Sequence, residues 1–167
     1  IVSQNNRFLD AIHFKNKEAP PLWLMRQAGR YLPEYRALRA NHAFMDMVKN
    51  PKLACDVTTQ PIARFQFDAA ILFSDILVLP DALGMKVHFK ENIGPVFQNP
   101  LTTKNDLEPI KRGSLSTLAY VKEAIGLIKE KLSVPLIGFA GAPFTVASYM
   151  IEGTGSRPRP RPGWPKA

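Results

Sequence analysis

The chain has 167 residues, a formal net charge of +8, 46% hydrophobic content and 10 phenylalanines. That length and apolar content suffice for one domain with a core and exclude overall disorder. No apolar run reaches the roughly 18 residues needed to span a bilayer, and the N-terminus lacks a charged-then-apolar signal pattern, so a soluble intracellular protein without a membrane partner is expected.

The charge is unevenly placed. Arg157, Arg159, Arg161 and Lys166 lie near the end with no acid among them; removing these four from 22 basic residues leaves 18 against 14 acidic ones, about +4. A body so mildly basic does not point to a nucleic-acid partner. Cys55 is the single cysteine, which excludes an internal disulfide and suits an inert thiol in a helix. His13, His42 and His88 are scattered without ligand-like spacing, so no metal is expected.

In chain order, Phe8, Leu9, Ile12 and Phe14 form a short amphipathic pattern, read as a packing helix before the first strand. Residues 22–25, Leu-Trp-Leu-Met, are an apolar run of strand length that ends in Arg26, Gln27, Ala28, Gly29 and Arg30. Gly29 permits a tight backbone approach, and Pro33 with Glu34 has the composition of a helix start, with the helix running to about Ala40. The reading is a strand, a basic loop and a helix. Loops leaving the carboxyl ends of parallel strands build ligand sites, so Arg26 and Arg30 are expected to line a pocket for carboxylates or phosphates. The competing expectation is that both pair with a neighbouring acid such as Glu34.

A short helix is expected at residues 44–49, with Met45 and Val48 available to pack. Asn50 and Pro51 then read as a cap and first turn of a longer helix with Leu53, Ala54, Val57, Ile62 and Phe65 on one face, kinked at Pro61. Residues 69–73 are a second buried strand, ending in Ser74 and Asp75. Asp75 either caps a helix over residues 76–83 or stands at a strand end as Arg26 does. Residues 86–90 and 96–98 suggest a β-hairpin. Leu118, Val121, Ile125, Ile128 and Leu132 recur at helical spacing, with Ser114 or Ser116 as the cap. Residues 134–139 are a third buried strand; Ala140, Gly141 and Ala142 turn the chain, and Pro143 starts a helix carrying Phe144, Val146, Tyr149, Met150 and Ile151. Free amides at that helix start favour an anion. Strands alternating with helices argue for a parallel α/β architecture, open or closed.

Three stretches, Met-Arg-Gln-Ala-Gly-Arg-Tyr-Leu-Pro-Glu-Tyr-Arg at 25–36, Phe-Ser-Asp-Ile-Leu-Val-Leu-Pro-Asp-Ala-Leu-Gly-Met at 73–85 and Gly-Phe-Ala-Gly-Ala-Pro-Phe-Thr-Val-Ala-Ser-Tyr-Met-Ile-Glu-Gly at 138–153, closely resemble the motifs of the uroporphyrinogen decarboxylase family. The resemblance runs from about Arg7 to Ser156. It implies an α/β fold, the N-terminal part of a (β/α)8 TIM barrel with about three βα units plus a β-hairpin excursion. It further implies an enzyme of porphyrin and haem biosynthesis, usually homodimeric and cytoplasmic, or plastid if a targeting peptide precedes Ile1. Such an enzyme removes carbon dioxide from the four acetates of uroporphyrinogen to give coproporphyrinogen, with no cofactor. By the same resemblance Arg26, Gln27, Ala28, Gly29 and Arg30 match the substrate-binding loop. Asp75 matches a catalytic and binding aspartate at the centre of the macrocycle, Tyr149 matches a tyrosine at the cleft, and Arg26 is the leading candidate for proton donor.

A whole barrel of this kind takes roughly 250 residues and eight strands. The serine and histidine that the family supplies from its later half have no counterpart here, so the chain alone is expected to be inactive or barely active. Related cobalamin or coenzyme M methyltransferases on the same barrel use zinc ligands from that later half and lack the double-arginine loop. A rival of another class is a non-catalytic fragment that pairs with intact decarboxylase subunits through open strand edges. Residues 157–167, rich in Arg and Pro, cannot continue a helix and are expected to form a disordered tail foreign to the family, after a barrel-like region at 1–156.

Overall fold

A computed structural model describes residues 5–17, 19–90, 93–110 and 114–154; the Arg/Pro-rich tail lies outside them. Along the chain the elements are α1 (Arg7–Ile12), α2 (Pro33–Asn41), α3 (Phe44–Lys49), α4 (Pro51–Phe65), β1 (Ala70–Ile71), α5 (Val78–Ala82), β2 (Val87–Lys90), β3 (Gly94–Phe97), α6 (Leu107–Ile110), α7 (Ala119–Lys131), β4 (Leu136–Ile137) and α8 (Pro143–Glu152). They fall into two compact units, one made of Ile1–Asp75 with Thr117–Ala140, the other of Ile76–Ser116 with Gly141–Ala167.

The first unit is organised by β1 and β4, which pair in parallel with Ala70 opposite Leu136 and Ile71 opposite Ile137. The Ala70 N–H donates to the Pro135 carbonyl at 2.8 Å and the Leu72 N–H to the Ile137 carbonyl at 3.0 Å. Helix α4 starts where expected: Asn50 accepts hydrogen bonds from the amides of Lys52 and Leu53 at 3.0 and 3.2 Å, and Pro51 needs no partner for a missing N–H. It then runs as one element through Pro61, the site of the expected kink, with that ring buried, and ends on Gln66 in the left-handed region at φ 53°. Ala54 and Cys55 of α4 meet Ala124 and Ile128 of α7 and Leu72 beside β1 in one buried cluster. A second cluster joins Leu32, Tyr35, Met47 and Val57.

Several expectations give way here. The run at 22–25 forms no strand ladder: its side chains at Leu22, Leu24 and Met25 are exposed, and its one backbone bond to the β1 segment is the Asp68 N–H to the Leu22 carbonyl, 2.9 Å. Side-chain groups take the Leu22 and Leu24 amides instead, as described below. Helix α1 buries none of its residues; Phe8 meets Trp23 edge-on at 6.3 Å, while Ile12 and the following Phe14 face outward. In α3 it is Met47, with Val48, that is buried, and Phe65 at the end of α4 is exposed. Only Leu136 and Ile137 of the third run pair, both half-buried. Helix α7 has Leu118 at its N-cap with no side-chain bond; Ser114 instead accepts the Ser116 amide at 3.3 Å, beside the 3₁₀ turn Leu115–Leu118.

In the second unit β2 and β3 form the expected hairpin, antiparallel, with Val87 opposite Phe97 and Lys90 opposite Gly94. Val87 and Phe97 join Leu77 and Met85 in its core. Helix α8 begins at Pro143 as expected and closes on Gly153 at φ 77°, whose carbonyl accepts the Phe97 N–H at 2.8 Å; Thr154 then bridges to Val96. A 3₁₀ turn at Lys104–Asp106 leading into α6 carried no strong sequence signal. The Asp106 carboxylate accepts the amides of Thr102 and Thr103 at 2.8 and 2.7 Å, and these bonds hold its pKa down at about 2.

Candidate functional site

The loop at residues 26–30 is fixed from beneath by Gln27. This side chain is 2% exposed. Its Oε1 accepts the Leu24 N–H at 3.2 Å and its Nε2 donates to the Ala69 carbonyl at 3.1 Å. The side-chain amide thus stands between the extended segment and the start of β1 as a peptide unit would, which is why the expected ladder is missing. The Gln27 backbone carbonyl accepts the Tyr31 hydroxyl, and the Leu32 N–H closes the loop onto the Gly29 carbonyl at 3.0 Å.

Asp68 secures the entry to the same segment. Its buried carboxylate accepts the Leu22 N–H at 2.7 Å, the Asn5 amide at 2.8 Å and the Arg7 guanidinium at 3.3 Å. Burial by itself would raise the pKa of this group; the Leu22 amide, Asn5 and Arg7 together outweigh it and hold the carboxyl below its ordinary value. The residue pattern carried one clue to Asp68, an acid set directly before the apolar run of β1. Thr58 was equally unmarked. Buried in α4, it donates to the Ala54 carbonyl at 2.7 Å and accepts the Phe73 N–H at 2.9 Å, so it holds the segment leaving β1 two residues before Asp75.

Arg26 and Arg30 are exposed, and among the described residues neither has an ion-pair partner. Glu34, their expected neutraliser, pairs with Arg64 instead. The guanidiniums therefore stand as free donor forks on a loop whose base is tied down. Ala28 packs on the cluster of Leu32, Tyr35, Met47 and Val57, and Phe73 packs on that same cluster. The loop and the strand end that carries Asp75 are thus seated on shared apolar ground within one unit. Asp75 is half-buried, and the N-cap position of α5 falls on Leu77, with no side-chain cap bond. Tyr149 belongs to the second unit, half-buried in α8 against the cluster of Leu77, Met85, Val87 and Phe97.

A cavity of about 420 Å³ lies elsewhere in the first unit, where the end of α7 leaves the start of β4 uncovered. Asn5, Leu72, Lys129, Ser133 and Leu136 are among the residues around it, and none of the predicted site residues is. Among the described residues around it, Lys129 is the one cationic side chain. Among the described residues no group of His, Cys, Asp and Glu is arranged to hold a metal ion, and no helix is long and apolar enough to cross a membrane.

The family model described as Uroporphyrinogen decarboxylase (URO-D) matches residues 3–160. A uroporphyrinogen decarboxylase of Protochlamydia amoebophila is 53% identical over 156 residues, covering 93% of this chain and 43% of that protein. One from Francisella philomiragia is 49% identical, and one from Francisella tularensis subsp. novicida 50% identical, over 153 residues each, covering 90% of this chain and 44% of theirs. The chain thus spans less than half the length of these curated relatives. Among solved structures, a methyltransferase from Methanosarcina mazei matches with a TM-score of 0.61 at 21% identity over 90% of this chain and 46% of that one; the likeness is one of α/β fold, consistent with the N-terminal part of a (β/α)8 barrel.

Proposed function

The chain belongs to the uroporphyrinogen decarboxylase family, and from that premise we propose that it supplies the anion-clamping loop and the central carboxylate of a site that decarboxylates the acetate side chains of uroporphyrinogen. The substrate of that reaction is a tetrapyrrole with four inward N–H donors and eight carboxylates at its rim. A matching site needs an acceptor in the middle and cations at the edge, the parts taken by Asp75 and by Arg26 with Arg30. The observation that supports this most directly is the seating of Ala28 and Phe73 on one buried cluster, which ties the basic loop and the Asp75 strand end to the same support.

Loss of carbon dioxide from an acetate leaves an electron pair that must be accommodated. Protonation of the adjacent pyrrole carbon makes a cationic ring that accepts it, and a propionate lacks that conjugation. Asp75 stabilises the ring cation as it develops, a fixed charge meeting charge that appears in the transition state. Arg26 is the leading proton donor on family grounds. The reading carries a cofactor-free reaction, a homodimeric complete protein and a cytoplasmic setting.

The test has two parts. Arg26→Ala and Arg30→Ala in this chain are each expected to weaken uroporphyrin binding about tenfold, the loss of one charge-assisted contact; unchanged affinity would remove the clamp. Replacing the aspartate that matches Asp75 by asparagine in the Protochlamydia amoebophila relative is expected to slow turnover a few hundredfold, the equivalent of about 3 to 4 kcal/mol. Near-normal turnover would end the cation-stabilising role. A second reading, a non-catalytic piece that pairs with intact decarboxylase subunits, is favoured by the exposed apolar side chains of Leu22, Leu24 and Met25; copurification with such a subunit would support it.

A further inference from the structure

The segment that carries the two free arginines has little backbone pairing to the start of β1, and the side chain of Gln27 bonds to both. Between residue 22 and the start of β1 there is one direct backbone bond, from the Asp68 N–H. Two residues later the Leu24 N–H faces the Gln27 Oε1, and the Gln27 Nε2 faces the Ala69 carbonyl, at 3.2 and 3.1 Å. We propose that Gln27 does not touch the ligand but acts as the positioning residue of the basic loop, its amide serving as an inserted peptide unit that sets where Arg26 and Arg30 stand relative to β1.

The chemistry of the site selects this residue type. The position needs an acceptor and a donor on one planar group, with no charge, at a reach of three side-chain carbons. Glutamate at neutral pH offers two acceptors and would set a carboxylate against the Ala69 carbonyl. Methionine has the length without the bonds, and asparagine is one methylene short. The group is buried, so both partner amide atoms would be left unsatisfied without it. Ala28, next in sequence, is seated on the apolar cluster that also receives Phe73, so movement of the residue-27 backbone carries the loop off the support it shares with the Asp75 strand end.

As a statement about ligand binding the proposal rests on the decarboxylase reading above, so the experiment separates the two. The full chain and its Gln27→Met and Gln27→Glu variants are compared by amide hydrogen exchange at Leu24 and by binding of uroporphyrin, with Arg26→Ala combined with each. In Gln27→Met, exchange at Leu24 is expected to accelerate strongly while that at Leu53 in α4 stays as it was, and uroporphyrin binding to weaken about tenfold, the loss of two amide hydrogen bonds. In that background Arg26→Ala should cost much less than it does alone, because an arginine no longer held in place has little left to lose. In Gln27→Glu, acidification restores a neutral carboxyl with one acceptor and one O–H donor. The Leu24 exchange, corrected for its intrinsic pH dependence against wild type, should therefore recover as the pH falls, a rescue that mere loss of packing would not give.

Unaltered exchange at Leu24, absence of acid rescue in Gln27→Glu, or full additivity of Gln27→Met with Arg26→Ala would each overturn the positioning role. A wild-type chain that fails to bind uroporphyrin, with the exchange and rescue as expected, would remove the tetrapyrrole ligand and uphold the brace.

Discussion

Three donors from separate parts of the chain, Leu22, Asn5 and Arg7, converge on the one buried carboxylate of Asp68. Its pKa lies below the ordinary 3.8, so its contribution is complete above that value and is lost as the pH falls through the lowered one. Asp68→Asn is expected to cost about 2 kcal/mol at neutral pH, a charge-assisted bond to a buried group. Urea unfolding at pH 7 and pH 3 checks this: the gap between wild type and variant should narrow on acidification, and a gap that widens would show that the folded-state pKa is not lowered. Cys55, by contrast, is a buried thiol whose desolvation pushes its pKa up despite nearby Lys131, in keeping with an inert core residue.

At the level of elements, α8 depends on how it ends. Gly153 closes α8 at φ 77°, and a Cβ there would stand 3.1 Å from the Pro100 ring, so Gly153→Ala meets both backbone strain and a close contact. A loss of about 1–2 kcal/mol is expected, read as a lower thermal midpoint, with β3 affected as well because the Gly153 carbonyl accepts the Phe97 amide. The helices α2, α4, α7 and α8 and the hairpin were legible in the sequence because each is governed by short-range signals: Pro33, Asn50 with Pro51, the Leu118 to Leu132 stripe, Pro143. The run at 22–25 was misread because an apolar stretch reveals its own character and nothing about its neighbour. Whether it becomes a ladder depended on where the side chains of Gln27 and Asp68 would go. For the candidate site the same division holds. The basic loop and Asp75 stand out as polar residues after apolar runs and by resemblance, whereas the bond of Gln27 to Ala69, Asp68 as an anchor and Thr58 beneath Phe73 are relations between distant positions that no local pattern encodes.

For the molecule as a whole, the exposed side chains of Leu22, Leu24 and Met25 form an apolar stretch next to the free arginines, in a chain that spans less than half the length of its curated relatives. Such surface promotes association. The double variant Leu22→Lys with Met25→Lys is expected to shift the chain toward lower apparent mass in sedimentation velocity at high concentration, and an unchanged distribution would show that this stretch does not drive self-contact. The pairing of Ala70 with Leu136 has a consequence for how the molecule is made. During synthesis β1 leaves the ribosome long before its parallel mate exists, and all of residues 72–135 must follow before the two can meet. Until then an apolar segment waits with an unfilled edge, while the hairpin of β2 and β3 closes over a few residues. β1 therefore waits for β4, while the hairpin translated between them needs only its own few residues to close.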